Sequence, residues 1–361
     1  MTLCFKEALL HGYTIYVRPH LDDGTGQGAW RNGLLFKPKE VYEGFSYYDI
    51  MLAPIADALR EAVQAVAEEG SLKERPVIYF ATQGEMSATI MRFSREWGSM
   101  TEDLRARVEG GLGLADVKIG VGLNFNRLDD TTSISKTYGS SRISWLLWAV
   151  DAEGQAGNAP EIDVVSLRQL FNQQLDFVGI SAYAPFTGPG MTLNEFENSA
   201  FTFGEAMAEY GIDIRGLVTA GKLDLQYSEF GIGGGNSYAG TTPASTPAEV
   251  ALRPFFGVYG AYNPAKDPWQ VPANRAFLRE YYAKALQWLS APENTTYRVS
   301  AVFIWSMASW DVLGIYPESS NAQGTYQDNV IVQQIRVHNE AVLAERAQVE
   351  ATTQVVPAAG R

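Results

Sequence analysis

The sequence predicts an α/β protein built as a (β/α)8 barrel, and three observations predict it. Apolar, strand-like segments alternate with amphipathic helical stretches along the 361 residues, which implies a parallel sheet. Polar or aromatic residues stand at the C-terminal end of nearly every such segment, where a barrel of this kind gathers its chemistry. Two segments end on a glutamate: Val77-Ile78-Tyr79-Phe80-Ala81-Thr82-Gln83-Gly84-Glu85-Met86 and Leu225-Gln226-Tyr227-Ser228-Glu229-Phe230-Gly231. Burying a carboxylate at the end of an apolar strand is costly unless it has a partner or a task.

The elements follow in order. Residues 2–11 read as helix. Thr14-Ile15-Tyr16-Val17-Arg18-Pro19 reads as a strand ending at His20-Leu21-Asp22-Asp23, followed by a polar, glycine-rich loop to Asn32. Residues 47–69 have apolar spacings of three and four, the helical period. The strand 76–82 leads to Glu85, and a helix is expected over 86–109. The strand 117–123 ends at Asn124 and Asn126. Helical patterns surround Trp145 and Leu167–Phe171. The strand 175–180 ends at Ser181-Ala182-Tyr183. A helix over 194–210 precedes the strand 223–229. Residues 231–272, rich in Gly, Pro, Ser and Thr, read as a lid loop. A helix over 274–290, a strand over 299–305 and a helix over 326–347 complete one catalytic domain, 1–348. Residues 349–361 read as a disordered tail. An open doubly wound sheet is the alternative architecture. It lacks its usual support, because Asn236 stands where Gly231-Ile232-Gly233-Gly234-Gly235 would need a final glycine, and no Walker A motif is present.

Composition narrows the function. The net charge of −13 argues against a nucleic-acid partner. No apolar run is long enough for a membrane span, so no membrane partner is expected. Cys4 is the single cysteine, which excludes an internal disulfide. His11, His20 and His338 are the only histidines, too few for a histidine-clustered metallohydrolase; a set of His20, Asp22 and Asp23 is the remaining metal option. No metal and no cofactor are expected. The aromatic content of 12% suits a carbohydrate site as well as a core. The start, MTLCFKEALLHGY, has no signal-peptide pattern and reads as a helix entered partway. Secretion would need a signal encoded upstream, and only then would Asn294-Thr295-Thr296 serve as a glycosylation sequon.

Two carboxylates at one barrel rim are the minimal equipment for cleaving a glycosidic bond. A retaining pair needs one carboxyl protonated and one ionised, about 5–5.5 Å apart. Burial and mutual repulsion are expected to raise the pKa of Glu85 and keep it protonated. The competing expectation is that each glutamate forms a structural ion pair with an Arg or Lys.

Five segments in order resemble clan A of the glycoside hydrolases, and family 113, the endo-β-1,4-mannanases, in particular. They are Val17-Arg18-Pro19-His20-Leu21-Asp22, Gly28-Ala29-Trp30-Arg31-Asn32, Gln83-Gly84-Glu85-Met86, Leu175-Asp176-Phe177-Val178-Gly179-Ile180-Ser181-Ala182-Tyr183 and Tyr227-Ser228-Glu229-Phe230-Gly231. The likeness covers roughly 5–310. It implies a retaining glycosidase acting on a β-linked, mannan-like polysaccharide or oligosaccharide, with Glu229 as nucleophile and Glu85 as acid/base. Tyr183 is a candidate donor to the nucleophile or a core tyrosine, and Trp305 a candidate floor of the cleavage subsite or a core tryptophan. Sugar contacts would come from His20, Asp22, Trp30, Gln83, Asn124 and Asn126.

There are two departures from the family. Gly84 stands where clan A usually has Asn and the mannanases Thr. If Glu85 ends strand four and Glu229 strand seven, strands one and two are missing. The chain is then expected to begin inside the helix after strand two and to form six strands, with 14–19 and 299–305 as edges. Ile15, Val17, Val302 and Ile304 should be less buried than in a closed barrel. A catalytically inactive carbohydrate-binding barrel is the alternative these departures suggest.

Overall fold

The structure, a computed structural model, describes residues 1–21, 28–42, 44–72, 75–110, 113–128, 160–236, 242–257, 262–291, 295–305, 311–315, 320–321 and 324–354. The helical pattern around Trp145 lies outside them. One sheet holds β1 (Ile15–Val17), β2 (Val77–Gly84), β3 (Asp116–Asn124), β4 (Phe177–Ser181), β5 (Asp224–Phe230) and β6 (Ala301–Ile304), in sequence order. The pairings from β1 through β5 are all parallel, with Ile15 opposite Ile78, Ile78 opposite Val117, Val121 opposite Val178 and Val178 opposite Leu225. Order decides between the two architectures. A doubly wound sheet reverses its strand order at a switch point, whereas this sheet runs one way, as a barrel does.

The six strands fall on the six segments read from the sequence. β1 and β6 end the strand order as expected. Val17, Val302 and Ile304 are half-buried, but Ile15 is only 6% exposed. Helix α1 (Thr2–Leu10) lies against β1.

Alternation along the strands separates two faces. Val117, Ile119 and Val121 of β3 are buried on one face, and α4 (Ser94–Glu109) packs on that strand. The other face carries an aromatic layer: the rings of Tyr16 and Tyr79 lie 5.7 Å and 5.3 Å from that of Phe177. Gly120 lets the Phe177 ring reach across β3, since a Cβ there would sit 2.5 Å from Phe177 Cδ1. Beyond this layer, toward the C-terminal ends of the strands, come Arg18 and Gly122.

The helices show where period alone fails. α2 (Ala53–Glu68) buries Ile55, Leu59, Ala62, Val63 and Val66 at helical spacing, after a π-turn at Tyr48–Leu52. The single helix expected over 86–109 is two, α3 (Ser87–Arg92) and α4. They break at Phe93, whose backbone (φ −120°, ψ 33°) is not helical. α5 (Val164–Gln169) is capped by Asp163, which accepts from the backbone of Val165 and Ser166. α6 (Asn198–Ala208) follows a 3-10 turn at Leu193–Glu197. α7 (Ile214–Thr219), capped by Asp213, was not expected. The stretch read as a lid contains α8 (Pro247–Leu252), capped by Thr246. α9 (Pro272–Leu289) precedes β6. A small hairpin, β7 (Ser320–Asn321) and β8 (Gly324–Thr325), precedes α10 (Asn329–Gln354), which runs into the segment read as a tail.

The chain divides into two compact units. The first comprises Met1–Ala182, Ser199–Glu229 and Tyr297–Val302, and contains both strand-end glutamates. The second comprises Tyr183–Asn198, Phe230–Thr296 and Phe303–Arg361. It has its own aromatic core, in which Tyr281 packs 5.3 Å from each of Phe186, Phe196 and Phe230. Arg279 of α9 pairs with Asp328, just before α10, at 3.0 Å. Among the described residues, no helix is long and apolar enough to cross a membrane.

Candidate active site

Both glutamates sit where a strand loses its regular register. β2 shifts register against β3 between Ala81 and Gly84, and Glu85 follows with φ at 58°, in the left-handed region. That conformation costs a residue with a Cβ about 1–2 kcal/mol. The Glu85 N–H donates to the Gly122 carbonyl at 2.9 Å and holds the turn. On the other side, Ile180 is opposite Tyr227, but Ser181 is opposite Glu229, so Ser228 is an extra residue in β5. Such a bulge re-aims the side chain beside it. The result brings the two carboxylates together: oxygens of Glu85 and Glu229 and a ring nitrogen of His20 all lie within 4.8 Å of one another.

Two arginines bind this pair. Arg18, at the end of β1, is 5% exposed at its side chain. Its Nη1 donates to Glu229 Oε1 at 2.8 Å and its Nη2 to Ser181 Oγ at 2.9 Å. Its Nη2 also lies 3.9 Å from Glu85 Oε1, so one guanidinium faces both carboxylates. Arg31 comes from the 3-10 segment Gly28–Gly33. Its Nη2 and Nε donate to Glu85 Oε2 at 2.9 Å and 3.2 Å, while its Nη1 donates to the Leu21 carbonyl at 3.0 Å. Asn32 is buried next to it, with Oδ1 accepting from Asn124 Nδ2 at 2.9 Å and from Ser87 Oγ at 3.4 Å.

Glycines make room for these groups. A Cβ on Gly84 would lie 2.8 Å from His20 Cε1 and closer still to its Nε2 and Cδ2. The departure at Gly84 therefore has a steric cause: the imidazole occupies the space a side chain would take. A Cβ on Gly122 would lie 2.5 Å from Arg18 Nε and 2.7 Å from the Gln83 carbonyl. Gly122→Ala should therefore cost about 1–3 kcal/mol through overpacking. The check is the urea midpoint at unchanged m-value; an unaltered midpoint would mean that Arg18 yields freely.

The electrostatics overturn one expectation. Burial alone would raise the pKa of Glu85, but Arg31, Arg18 and His20 together outweigh it and hold the carboxyl down to about 2. Glu85 is thus ionised in this arrangement, because two guanidiniums face it where repulsion from a second carboxylate is expected to dominate. Burial, then Arg18 and Arg31, push His20 down to about 3, so its ring is neutral near pH 7. Its Nε2 lies 3.8 Å from Glu229 Oε1.

The remaining sequence candidates have different surroundings. Asp22 lies outside the described residues, as does the side chain of Trp30, whose backbone belongs to the 3-10 segment. Gln83 is buried, and its Oε1 accepts from the Met86 N–H at 2.8 Å. Asn124 is tied to the cluster through Asn32, whereas Asn126 is exposed. Tyr183 and Trp305 belong to the second unit, where the Tyr183 ring packs 5.1 Å from Phe255 and the backbone N–H of Trp305 donates to the Phe230 carbonyl at 2.9 Å. Sequence reasoning missed Arg18, Arg31, Asn32 and Ser181 as parts of the cluster. A charge ending an apolar strand, the signal used for the glutamates, also marks Arg18.

His20, Glu85 and Glu229 supply three donors, the number that a catalytic zinc takes from protein. The fit is poor, since a dication would have to displace Arg18 and Arg31 from the carboxylates. Two carboxylates, two guanidiniums and a neutral imidazole are already balanced in charge.

No family model and no curated protein matches the chain. Among solved structures it is similar to a fungal β-1,4-galactanase at 14% identity, covering 92% of this chain and 80% of that one, with a TM-score of 0.38. It is similar to the GH53 catalytic domain of Ignisphaera aggregans at 12% identity, covering 91% and 70%, with a TM-score of 0.39. A double mutant of Cellulomonas fimi endo-β-1,4-mannanase is 13% identical, with 85% and 61% covered and a TM-score of 0.34. Superpositions this loose place no constraint on the residues of the site.

Proposed function

We propose that the chain is a retaining glycoside hydrolase of β-linked polysaccharide or oligosaccharide, with Glu229 as nucleophile and Glu85 as acid/base. One observation carries the reading: carboxylate oxygens of the two residues lie within 4.8 Å. Retaining pairs stand about 5–5.5 Å apart, whereas inverting pairs leave about 6.5–9.5 Å for a water. The resemblance in sequence suggests a mannan-like substrate. In the first step Glu229 forms a bond to the anomeric carbon as the bond to the leaving oxygen breaks, and that oxygen takes the proton of Glu85. In the second, Glu85 accepts a proton from water as that water's oxygen displaces Glu229. Arg18 supports the nucleophile's role by favouring its ionised form.

The first step needs a protonated Glu85, so Arg31 must give it up. The Arg31–Glu85 pair favours a second reading, a carbohydrate-binding barrel without catalysis. Incubation with 2-deoxy-2-fluoro-glycosyl fluorides, followed by peptide mass analysis, separates the two. The hydrolase reading expects a glycosyl adduct on Glu229 that Glu229→Gln abolishes. Saturable sugar binding with no adduct would establish the inactive barrel.

A further inference from the structure

We propose that Arg31 receives a carboxylate of the substrate, so that the sugar chain cleaved here carries a uronic acid at the cleavage subsite. The inference rests on the hydrolase reading and narrows its substrate class. It begins from the obstacle just described. Glu85 is locked to Arg31 by two hydrogen bonds, and an acid so held has no proton to give. The hydroxyls of a neutral sugar offer Arg31 weaker bonds than the ionised carboxylate they would have to replace. A second carboxylate replaces like with like.

The geometry of the pair favours such an exchange. Arg31 directs both Nε and Nη2 at a single oxygen, Glu85 Oε2. The other oxygen, Oε1, faces Arg18. Arg31 therefore lacks the two-oxygen fork that a guanidinium prefers, in which each N–H meets its own oxygen. A uronate carboxylate can supply that fork. Nη1 stays anchored on the Leu21 carbonyl, so the receiving edge keeps its orientation. Arg31 is also the reachable arginine: its side chain is 13% exposed, against 5% for Arg18.

The exchange would set the acid. Once relieved of Arg31, Glu85 faces Arg18 of β1, the neutral His20 that follows it and the carboxylate of Glu229 on β5. Burial then acts against its charge, and it takes a proton from solvent, which is the state the first step needs. A neutral sugar leaves Glu85 paired and a poorer acid. The ion pair thereby acts as a selectivity filter as well as a substrate contact.

The test uses aryl β-hexosides and β-hexuronides that share one leaving group, in both the gluco and manno series, assayed with the full chain. The wild type should prefer the better uronide over its hexoside by about 100-fold in kcat/KM, the gain of two charge-assisted bonds. Arg31→Met should bring the two within about 3-fold by losing the uronide. Arg31→Lys, which keeps the charge without the fork, should retain an intermediate preference and serves if the methionine variant does not fold. A wild type indifferent to the carboxylate, or a preference that survives in Arg31→Met, would overturn the proposal. Labelling with 2-deoxy-2-fluoro-hexosyl and -hexuronyl fluorides separates the two levels of inference. An adduct on Glu229 from both reagents at equal rates removes the uronate proposal and keeps the hydrolase. No adduct from either removes both.

Discussion

Arg18→Met should cost the chain about 3–5 kcal/mol of stability and remove the proposed hydrolysis, because it takes the guanidinium from the buried carboxylate of Glu229. Both side chains are 5% exposed, and the Nη1–Oε1 contact is 2.8 Å, so water cannot take the place of the guanidinium. The same change strips a donor from Ser181 and a cation from beside Glu85. Glu229→Gln alone makes the converse error and takes from a buried guanidinium the nearer of the two carboxylates it faces. The double variant Arg18→Met/Glu229→Gln should therefore recover at least half of the loss, which a cycle of urea denaturation curves measures. A single-variant loss below about 1 kcal/mol would place this pair in the class of solvated surface bridges. At the chemical level, Arg18→Met removes the bond that holds Glu229 in place, so labelling by a fluoro-sugar should fall.

The frame of the site was readable in the sequence for a local reason. Each strand is a short apolar run closed by polar residues, and all six runs appear as strands. The pairing partners were not readable. Arg18 and Glu229 are 211 positions apart, and only the order β1 to β5 and the bulge at Ser228 bring them together. The competing expectation, an Arg or Lys paired with each glutamate, is the one the contacts match, but nothing local marks Arg18 and Arg31 as those partners, and the expected rise of the Glu85 pKa followed from weighing the carboxylates alone. Gly84 looked like lost function when read against a family pattern; in space it is the clearance for the His20 ring. The short helices α7 and α8, of six residues each, fall below the window over which a helical period can be recognised. Their signals were the caps Asp213 and Thr246.

Stability should fall as the solution is acidified below about pH 6.5, with His20 carrying the first part of the loss. In the unfolded chain an imidazole titrates at about 6.5; in the folded chain burial and the two arginines hold His20 to about 3. Above 6.5 the ring is neutral in both states and contributes no pH dependence. Between 6.5 and 3 the unfolded chain binds a proton that the folded chain refuses, and the deficit grows to about 4–5 kcal/mol before levelling off. Glu85 adds a lower step. Its folded pKa of about 2 stabilises the chain above the ordinary value of 4.5, and that contribution, about 3 kcal/mol, is lost as pH falls from 4.5 through 2. The groups face each other, so the combined loss is smaller than the sum. Urea midpoints at pH 7.5, 6, 5 and 4 test this directly. His20→Gln should flatten the curve down to about pH 4.5, and Glu85→Gln should leave the upper slope and remove the lower one. Burial also lowers His338, so His338→Gln is the necessary control in the upper window. A wild-type midpoint that does not move between pH 7 and pH 5 would mean that His20 meets water freely, and that the arginine-lined cluster is more open than its contacts indicate.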